Sequence, residues 1–450
     1  MHSKLPVLRS TRLSALDNHH SRRLRVRPKT VRAHPRTESR TVPRQHPIVR
    51  PENVQGSTHE EMRRHNLSTI LRMVHFSGPI TRSNLAILTG LNKSTIGALS
   101  KELIDLGLVE EIIPNRNDHV GRPSRVVAPN ERVIAIAINP EVDAVTIGIV
   151  SLGGKVTRRV RYAIQQSSSA AEAVNLATAF IDGMRAELER DYRVIGIGVA
   201  IPGAVHSPDG SVTLAPHLGW AREPIVDMLT QATGYPVLAD NDGRLGSLAE
   251  RNFGAGAEVK DLIYINGWGH GISGGIISGG MAVSGFSGYA AAFGHVKSSN
   301  SEKTDSAGIC GTLEADATRS ALLDALGITD AGPDELEQAL LAATSQRVRK
   351  TVERQLDYLA IVLGNVINIV NPKLIVLGGF LASLHAMLPD YLPNAVAARA
   401  LPAAYAGVEI RPSGLGSNLL LIGAAELVFE NLLDDPARIR SEDESTPDHT

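Results

Sequence analysis

The sequence lacks most of what would staple it, insert it in a membrane or attract a partner by bulk charge. Its 450 residues contain one cysteine, Cys310, which excludes an internal disulfide and a multi-cysteine metal cage. That usage fits a reducing compartment, so a cytoplasmic protein is expected. No apolar run approaches the roughly 20 residues that span a bilayer. The N-terminus has no apolar h-region, so neither a secretory signal nor a membrane partner is expected. Aromatic residues are only 4%, yet 43% of the chain is hydrophobic, enough for the cores of two or three domains. The formal net charge of −1 points to no partner by itself.

The distribution of charge says more than its sum. Residues 1–50 are crowded with cations, from Lys4 and Arg9 through Arg22, Arg23, Arg25 and Arg27 to Arg44 and Arg50, against only Asp17 and Glu38. With several prolines and no apolar periodicity, residues 1–56 are expected to be a disordered basic tail. Such a tail adds non-specific attraction to phosphates; it also reads as a plain solvated extension, or as sequence ahead of an internal start at Met62. The charged residues 434–450 are expected to be a second disordered tail.

What is there begins with a helical stripe, Leu67, Ile70, Leu71 and Val74, closed by Gly78-Pro79. Thr81 can cap a second helix, Arg82 to Thr89, with Leu85 and Leu88 inward; Gly90 allows a tight turn. Asn92 can cap a third helix, Lys93 to Leu106, ended by Gly107, with Ile96, Leu99, Leu103 and Leu106 as its buried stripe. Lys93, Ser94, Thr95, Ala98 and Lys101 fall largely on the opposite side. Short or flexible donors leading a helix suit a major groove about 12 Å wide. Leu108–Ile113 and Arg125–Val127 would be wing strands, and the segment between them holds Arg116, His119 and Gly121-Arg122-Pro123, an extended cation suited to a minor groove. Residues 57–129 therefore read as a winged helix-turn-helix, with Arg82 and Arg122 added to the third helix as candidate contacts to double-stranded operator DNA. A structural helical bundle, or a helix-turn-helix serving protein contacts, is the competing reading.

From Arg132 onward, Val- and Ile-rich strands alternate with helices, an α/β pattern. Several motifs follow in order: IGIGVAIPGAV (195–205), LAPHLGW (214–220), PVLADNDGRLGSLAE (236–250), GHGISGGIISGG (269–280), Gly294-His295, GTLE (311–314) and NPKLIVLGG (371–379). Taken alone, Asp-Asn-Asp (240–242) can cap a turn, and Gly267, Gly269, Gly271, Gly274 and Gly275 can form either a hinge or a phosphate cradle. His295 can be a core histidine, and Glu314 a carboxylate placed for a helix dipole.

Together these motifs resemble the ROK family of sugar kinases and repressors, over all but the two tails. The resemblance implies a two-lobed actin-like (ribonuclease H-like, sugar-kinase) α/β fold preceded by an all-α/winged helix-turn-helix domain. Residues 130–433 would be the sugar-kinase-like part, with one lobe about 130–240 plus a C-terminal helix 417–433, and the other about 241–416. It also implies a sugar site of Asn241, Asp242, His295 and Glu314, in which Asp242 matches the kinases' general base. The kinase pattern then fails. The first phosphate loop, Asp-x-Gly-Gly-Thr in such kinases, is Asn139-Pro140-Glu141-Val142-Asp143 here; Pro140 lacks an N–H, and the acids repel phosphate. The structural zinc site implied by the family also fails, because its cysteine positions hold Asp305, Ala307 and Thr312 while Cys310 lies out of register. The glutamate expected three residues before His295 is Ala292, a loss of about 1.5–3 kcal/mol if it removes one charged hydrogen bond. The expectation is a pseudokinase regulator, a repressor by family default, with no cofactor, no metal and Asp242 a vestigial base. It would sense a sugar or sugar phosphate and pair as a homodimer or homotetramer. An active sugar kinase and a non-catalytic interaction module are the alternatives.

Overall fold

The computed structural model describes residues 59–113, 125–164, 167–206, 209–269 and 271–438. Helix α1 (His59–Ser77) buries Leu67, Ile70, Leu71 and Val74, spaced to form one face. Gly78 turns with a φ of 72°, and a two-residue strand β1 (Ile80–Thr81) follows. Thr81 accepts a hydrogen bond from Asn84 N and starts α2 (Arg82–Thr89), which ends at the left-handed Gly90. The Asn92 side chain accepts from Thr95 N at 2.8 Å and starts α3 (Lys93–Asp105), which buries Ile96, Leu99 and Leu103. Strands β2 (Val109–Ile112) and β3 (Val126–Pro129) pair antiparallel, and β1 adds to the other edge of β3. Leu88 differs from expectation: it is 61% exposed, because this two-turn helix meets the core through Leu85 with Ala86 and Leu91 beside it.

The next strands are β4 (Val133–Pro140), β5 (Ala144–Ser151) and β6 (Val156–Ala163). After α4 (Ala170–Asp191) come β7 (Arg193–Ile201), a small antiparallel sheet of β8 (Ala204–His206), β9 (Ser211–Ala215) and β10 (Trp220–Glu223), then α5 (Ile225–Thr233) and β11 (Val237–Asn241). The main sheet has the order β11-β7-β4-β5-β6; β4, β7 and β11 are parallel, β5 and β6 antiparallel to their neighbours. The predominantly apolar β4 and β5 are buried at every residue, with Asn139, Thr146 and Ser151 their buried polar positions, whereas β6 is an edge strand with Arg158 and Arg159 exposed.

Helix α6 (Asp242–Phe253) leads to β12 (Leu262–Trp268), β13 (Gly271–Ser278) and β14 (Met281–Ala282). Beyond them lie α7 (Leu313–Asp316), α8 (Arg319–Leu326), α9 (Pro333–Ala342) and the long α10 (Gln346–Val370). Then come β15 (Leu374–Gly378), α11 (Gly379–Met387), α12 (Tyr391–Ala397), α13 (Pro402–Tyr405), β16 (Glu409–Pro412) and α14 (Leu419–Asp434). The second sheet, β14-β13-β12-β15-β16, repeats the first in connectivity: a three-stranded antiparallel meander with two parallel strands added beside its first. This duplicated pattern is the two-lobed actin-like fold expected.

Among the described helices, only α14 with the residues just before it (Gly416–Asp434) is long and apolar enough to cross a membrane. It is a core helix, lying on β7, β4 and α6. A Cβ on Gly198 of β7 would sit 1.9 Å from Ala424 O, and one on Gly423 would sit 2.5 Å from Leu245 O of α6, so glycine is what permits this approach.

Candidate functional site

Two regions carry the candidate residues. On α3, Lys93, Ser94, Ala98 and Lys101 are exposed, and Thr95 is half-buried. Ser94 Oγ donates to Asn92 Oδ1 at 2.6 Å, so the first turn is held in shape while the lysines stay solvated. Lys101 reaches Asp105 at 3.2 Å, one turn on, with both side chains largely exposed and the pair therefore weak. Arg82 is committed differently: its guanidinium pairs with Glu111 on β2 at 2.8 Å, and Arg125 meets the same carboxylate at 3.3 Å. Arg122 and the Gly-Arg-Pro segment lie outside the described residues.

The second region is the cleft between the sheets, where Asn241, Asp242, His295 and Glu314 all line one cavity. Asn241 caps α6: its Oδ1 accepts from Arg244 N at 3.1 Å and its Nδ2 donates to Gly203 O at 2.9 Å. Its amide is thus largely engaged by the fold. Asp242 is 6% exposed and accepts from Gly243 N at 2.7 Å and from Ser273 Oγ at 3.2 Å. Burial pushes its carboxyl up to about 6, against the lowering effect of those hydrogen bonds. Glu314 has the opposite balance. Burial, the largest influence, works to raise it, but His217, the Ser306 hydroxyl and Ile272 N together hold it at about 2. His217 Nε2 lies 3.3 Å from Glu314 Oε1, at ion-pair distance though without hydrogen-bond alignment. At the cleft mouth, Tyr289 and Thr213 share a 2.7 Å hydrogen bond that joins the small sheet to the loop after β14.

His217 and Ser306 were not among the residues singled out from sequence. His217 lies inside a quoted motif, but nothing local foretells that it meets a carboxylate 97 positions away. The glycine motif also resolves differently. Gly267, Gly271, Gly274 and Gly275 lie within β12 and β13, and only Gly269 has a positive φ in the turn. A Cβ on Gly275 would strike Ser247, and one on Gly243 would strike Gly274, so these glycines let α6 cross β13 closely. His270 is outside the described residues.

The positions matching zinc ligands form a hydrogen-bond cluster. Asp305 Oδ2 accepts from His295 Nδ1 at 2.8 Å and from Thr312 Oγ1 at 2.9 Å, while Oδ1 accepts from Ala307 N and Ile309 N at 2.9 Å. Those hydrogen bonds hold the carboxyl below its usual range although burial opposes them. Cys310 is exposed and takes no part. These residues do not fit a tetrahedral zinc site, and no group of three or more His, Cys, Asp or Glu among the described residues is placed to hold a metal.

In the β4–β5 turn, Glu141 accepts from Thr146 Oγ1 at 2.6 Å and Asn139 Nδ2 at 3.2 Å; Arg161 of β6 contacts Asp143 at 2.8 Å and Glu141 at 3.5 Å. The far end of α6 reaches the helix-turn-helix. His75 of α1, 1% exposed, accepts from Gly153 N at Nδ1 (2.8 Å) and donates from Nε2 to Glu426 of α14 (2.9 Å). Glu426 also accepts from Asn252 of α6 at 2.8 Å, and the Phe253 ring stands edge-on to His75 at 5.3 Å. Arg72 pairs with Asp434 and Glu430 at 2.5 and 3.5 Å beside this contact.

The sequence profile described as the ROK family matches residues 135–431. The xylose repressor of Caldicellulosiruptor bescii is 25% identical over 396 residues, covering 84% of this chain and 98% of the repressor. A glucokinase of Halalkalibacterium halodurans is 28% identical over 281 residues, covering 59% of this chain and 85% of the glucokinase. Among solved structures, a ROK family transcriptional regulator described as a homologue of the E. coli MLC protein has a TM-score of 0.68 at 24% identity, covering 83% of this chain and 97% of its own. At that identity the last likeness is one of fold. The match to the repressor takes in more of this chain than the match to the glucokinase does.

Proposed function

The chain belongs to the ROK family, and on that footing we propose that it is a DNA-binding transcription regulator of sugar-related genes whose ROK domain senses a sugar without phosphorylating it. The observation that carries this reading is a capped helix-turn-helix, with Lys93, Ser94 and Lys101 facing solvent, joined to a sugar-kinase-like domain. Lys93, Ser94, Thr95, Ala98 and Lys101 would meet the major groove, with Arg122 at the wing. Arg82 contributes less, because Glu111 already holds it. A two-fold pair of such chains would read half-sites about one helical turn, 34–36 Å, apart or multiples of it. Such a protein works where the DNA is, in the cytoplasm.

The loss of kinase chemistry is supported by the β4–β5 turn. Phosphoryl transfer depends on positioned charge neutralisation and free amides around the phosphates. Here Pro140 has no N–H, and Glu141 and Asp143 bring negative charge to the cleft, with Arg161 engaged by both. Asp242 would accept a hydrogen bond from a sugar hydroxyl, and Asn241, His295, Glu314 and His217 would complete the site.

Helix α6 offers the route from sugar to DNA. It starts with Asp242 in the cleft and ends at Asn252 and Phe253, which touch Glu426 and His75. A ligand that favours one setting of α6 biases the seat of α1 by its differential affinity for the two arrangements. The test is genome-wide DNA occupancy of the tagged protein in its host, repeated with Lys93, Thr95 and Lys101 changed to Ala. Discrete peaks that vanish in the variant are expected. No peaks, or peaks indifferent to the substitutions, would overturn the reading.

A further inference from the structure

We propose that the cleft takes an uncharged sugar and excludes sugar phosphates, a refinement that rests on the effector-site reading above. Proteins hold phosphate with cations, with free amides at a helix N-terminus, or with glycine-lined backbone. Among the described residues, the cations near the cleft and the amides at the start of α6 and on β13 named below are otherwise engaged. No lysine or arginine is among the described residues lining the cleft, whereas Glu141, Asp143, Asp242 and Glu314 are. Two arginines next to cleft-lining residues are already paired: Arg161 with Asp143 and Glu141, and Arg244 of α6 with Asp240, with Ser284 taking a further hydrogen bond.

The amides are engaged as well. At the start of α6, Gly243 N donates to Asp242 Oδ1 at 2.7 Å and Arg244 N to Asn241 Oδ1 at 3.1 Å. Beside the glycine strand, Ile272 N donates to Glu314 Oε2 at 3.0 Å and Ser306 N to Oε1 at 3.2 Å. Glu314 is thus an internal anion occupying the donors that a phosphate would need. A phosphate monoester carries about −1.5 to −2 charges at neutral pH and would meet Asp242, Glu314 and the Arg161-paired Glu141 and Asp143, with no lysine or arginine among the described lining residues to hold it. A neutral sugar meets the same groups favourably, because each hydroxyl can donate to a carboxylate lone pair and accept from a histidine N–H.

The test measures binding of matched pairs to the full chain by calorimetry, with Trp268 fluorescence from the cleft wall as a second signal. The pairs are D-xylose with xylose 5-phosphate, D-glucose with glucose 6-phosphate, and N-acetylglucosamine with its 6-phosphate. At least one free sugar should bind, with its ester weaker by about 100-fold or more, the scale of like-charge juxtaposition. Asp143→Asn, at an exposed position, and Glu141→Gln, which also touches Asn139 and Thr146, should each narrow that ratio. An ester binding as tightly as its parent sugar overturns the exclusion while leaving the effector site standing. Silence from all three pairs overturns the effector-site reading itself. A ratio unchanged in both variants overturns the part assigned to the β4–β5 turn.

Discussion

Asp242 is a buried carboxyl whose neighbours only partly offset its desolvation, so it costs stability when charged. Its ordinary value is about 3.9 and its folded value about 6. The folded state therefore holds its proton more tightly than the unfolded state. The stability this gives is fully present below pH 4 and is lost as pH rises through 6. Asp242→Asn should consequently raise the thermal midpoint at pH 7.5, by the equivalent of about 2–3 kcal/mol, with the gain fading toward pH 4. The same variant should lose sugar affinity. A midpoint difference independent of pH would show that the carboxyl is not desolvated as described. Asp305 argues a second case at this scale. It accepts four hydrogen bonds, from His295, Thr312, Ala307 N and Ile309 N. Asp305→Ala leaves those donors unpaired and should cost about 2–4 kcal/mol in chemical denaturation. Because no metal holds this loop in our reading, EDTA should leave the wild-type midpoint unchanged; a drop on chelation would contradict the hydrogen-bond cluster.

Between elements, the decisive contact is the one that seats α1 on α14. His75 and Glu426, both buried, and the half-buried Asn252 form one hydrogen-bonded chain, so removing one partner strands the next. A double-mutant cycle of His75→Ala and Glu426→Ala should return a coupling of about 1–3 kcal/mol, whereas additive losses would mean the pair is incidental. This contact marks where reading from sequence stops. Helices α1 to α3 were legible because their stripes and the Thr81 and Asn92 caps are local signals. Their one misread leucine, Leu88, sits on a helix too short for its period to fix a second inward position. The two-residue β1 has no period at all. The four expected cleft residues came from motifs, and the structure gathers them at one cavity. His217 and the His75–Glu426 pair were illegible because each meets its partner across the fold, the last across 351 positions, whereas Ser306 lies only eight residues from Glu314 in a loop with no periodicity to mark the contact. The glycine motif stayed open between a hinge and a phosphate cradle because composition cannot tell a turn from a strand that another helix crosses closely, as α6 crosses β13 at Gly274 and Gly275.

For the molecule as a whole, the cleft and the helix-turn-helix are joined by α6 and α14, the latter seated against α1, and packed through glycine at Gly423 and Gly198 with almost no slack. Tightly packed elements shift as units, so on the proposed reading a change at Asp242 would carry to Asn252 and Phe253 along α6. Linkage then sets a strict requirement. If a bound sugar changes operator affinity by some factor, operator DNA must change sugar affinity by the same factor. Asn252→Ala and Phe253→Ala lie outside both binding surfaces, so each should leave sugar affinity without DNA and operator affinity without sugar near their wild-type values. The coupling factor between them, typically about 5–150-fold in such systems, should fall toward one. The measurement is operator binding by fluorescence anisotropy with and without the sugar that calorimetry identifies, and sugar binding with and without operator. A full coupling factor in both variants would move the route away from α6, leaving direct lobe closure acting on the spacing of paired DNA-binding domains as the mechanism. A factor that collapses with both intrinsic affinities intact would identify the end of α6 as the point where sugar occupancy becomes a change in DNA binding.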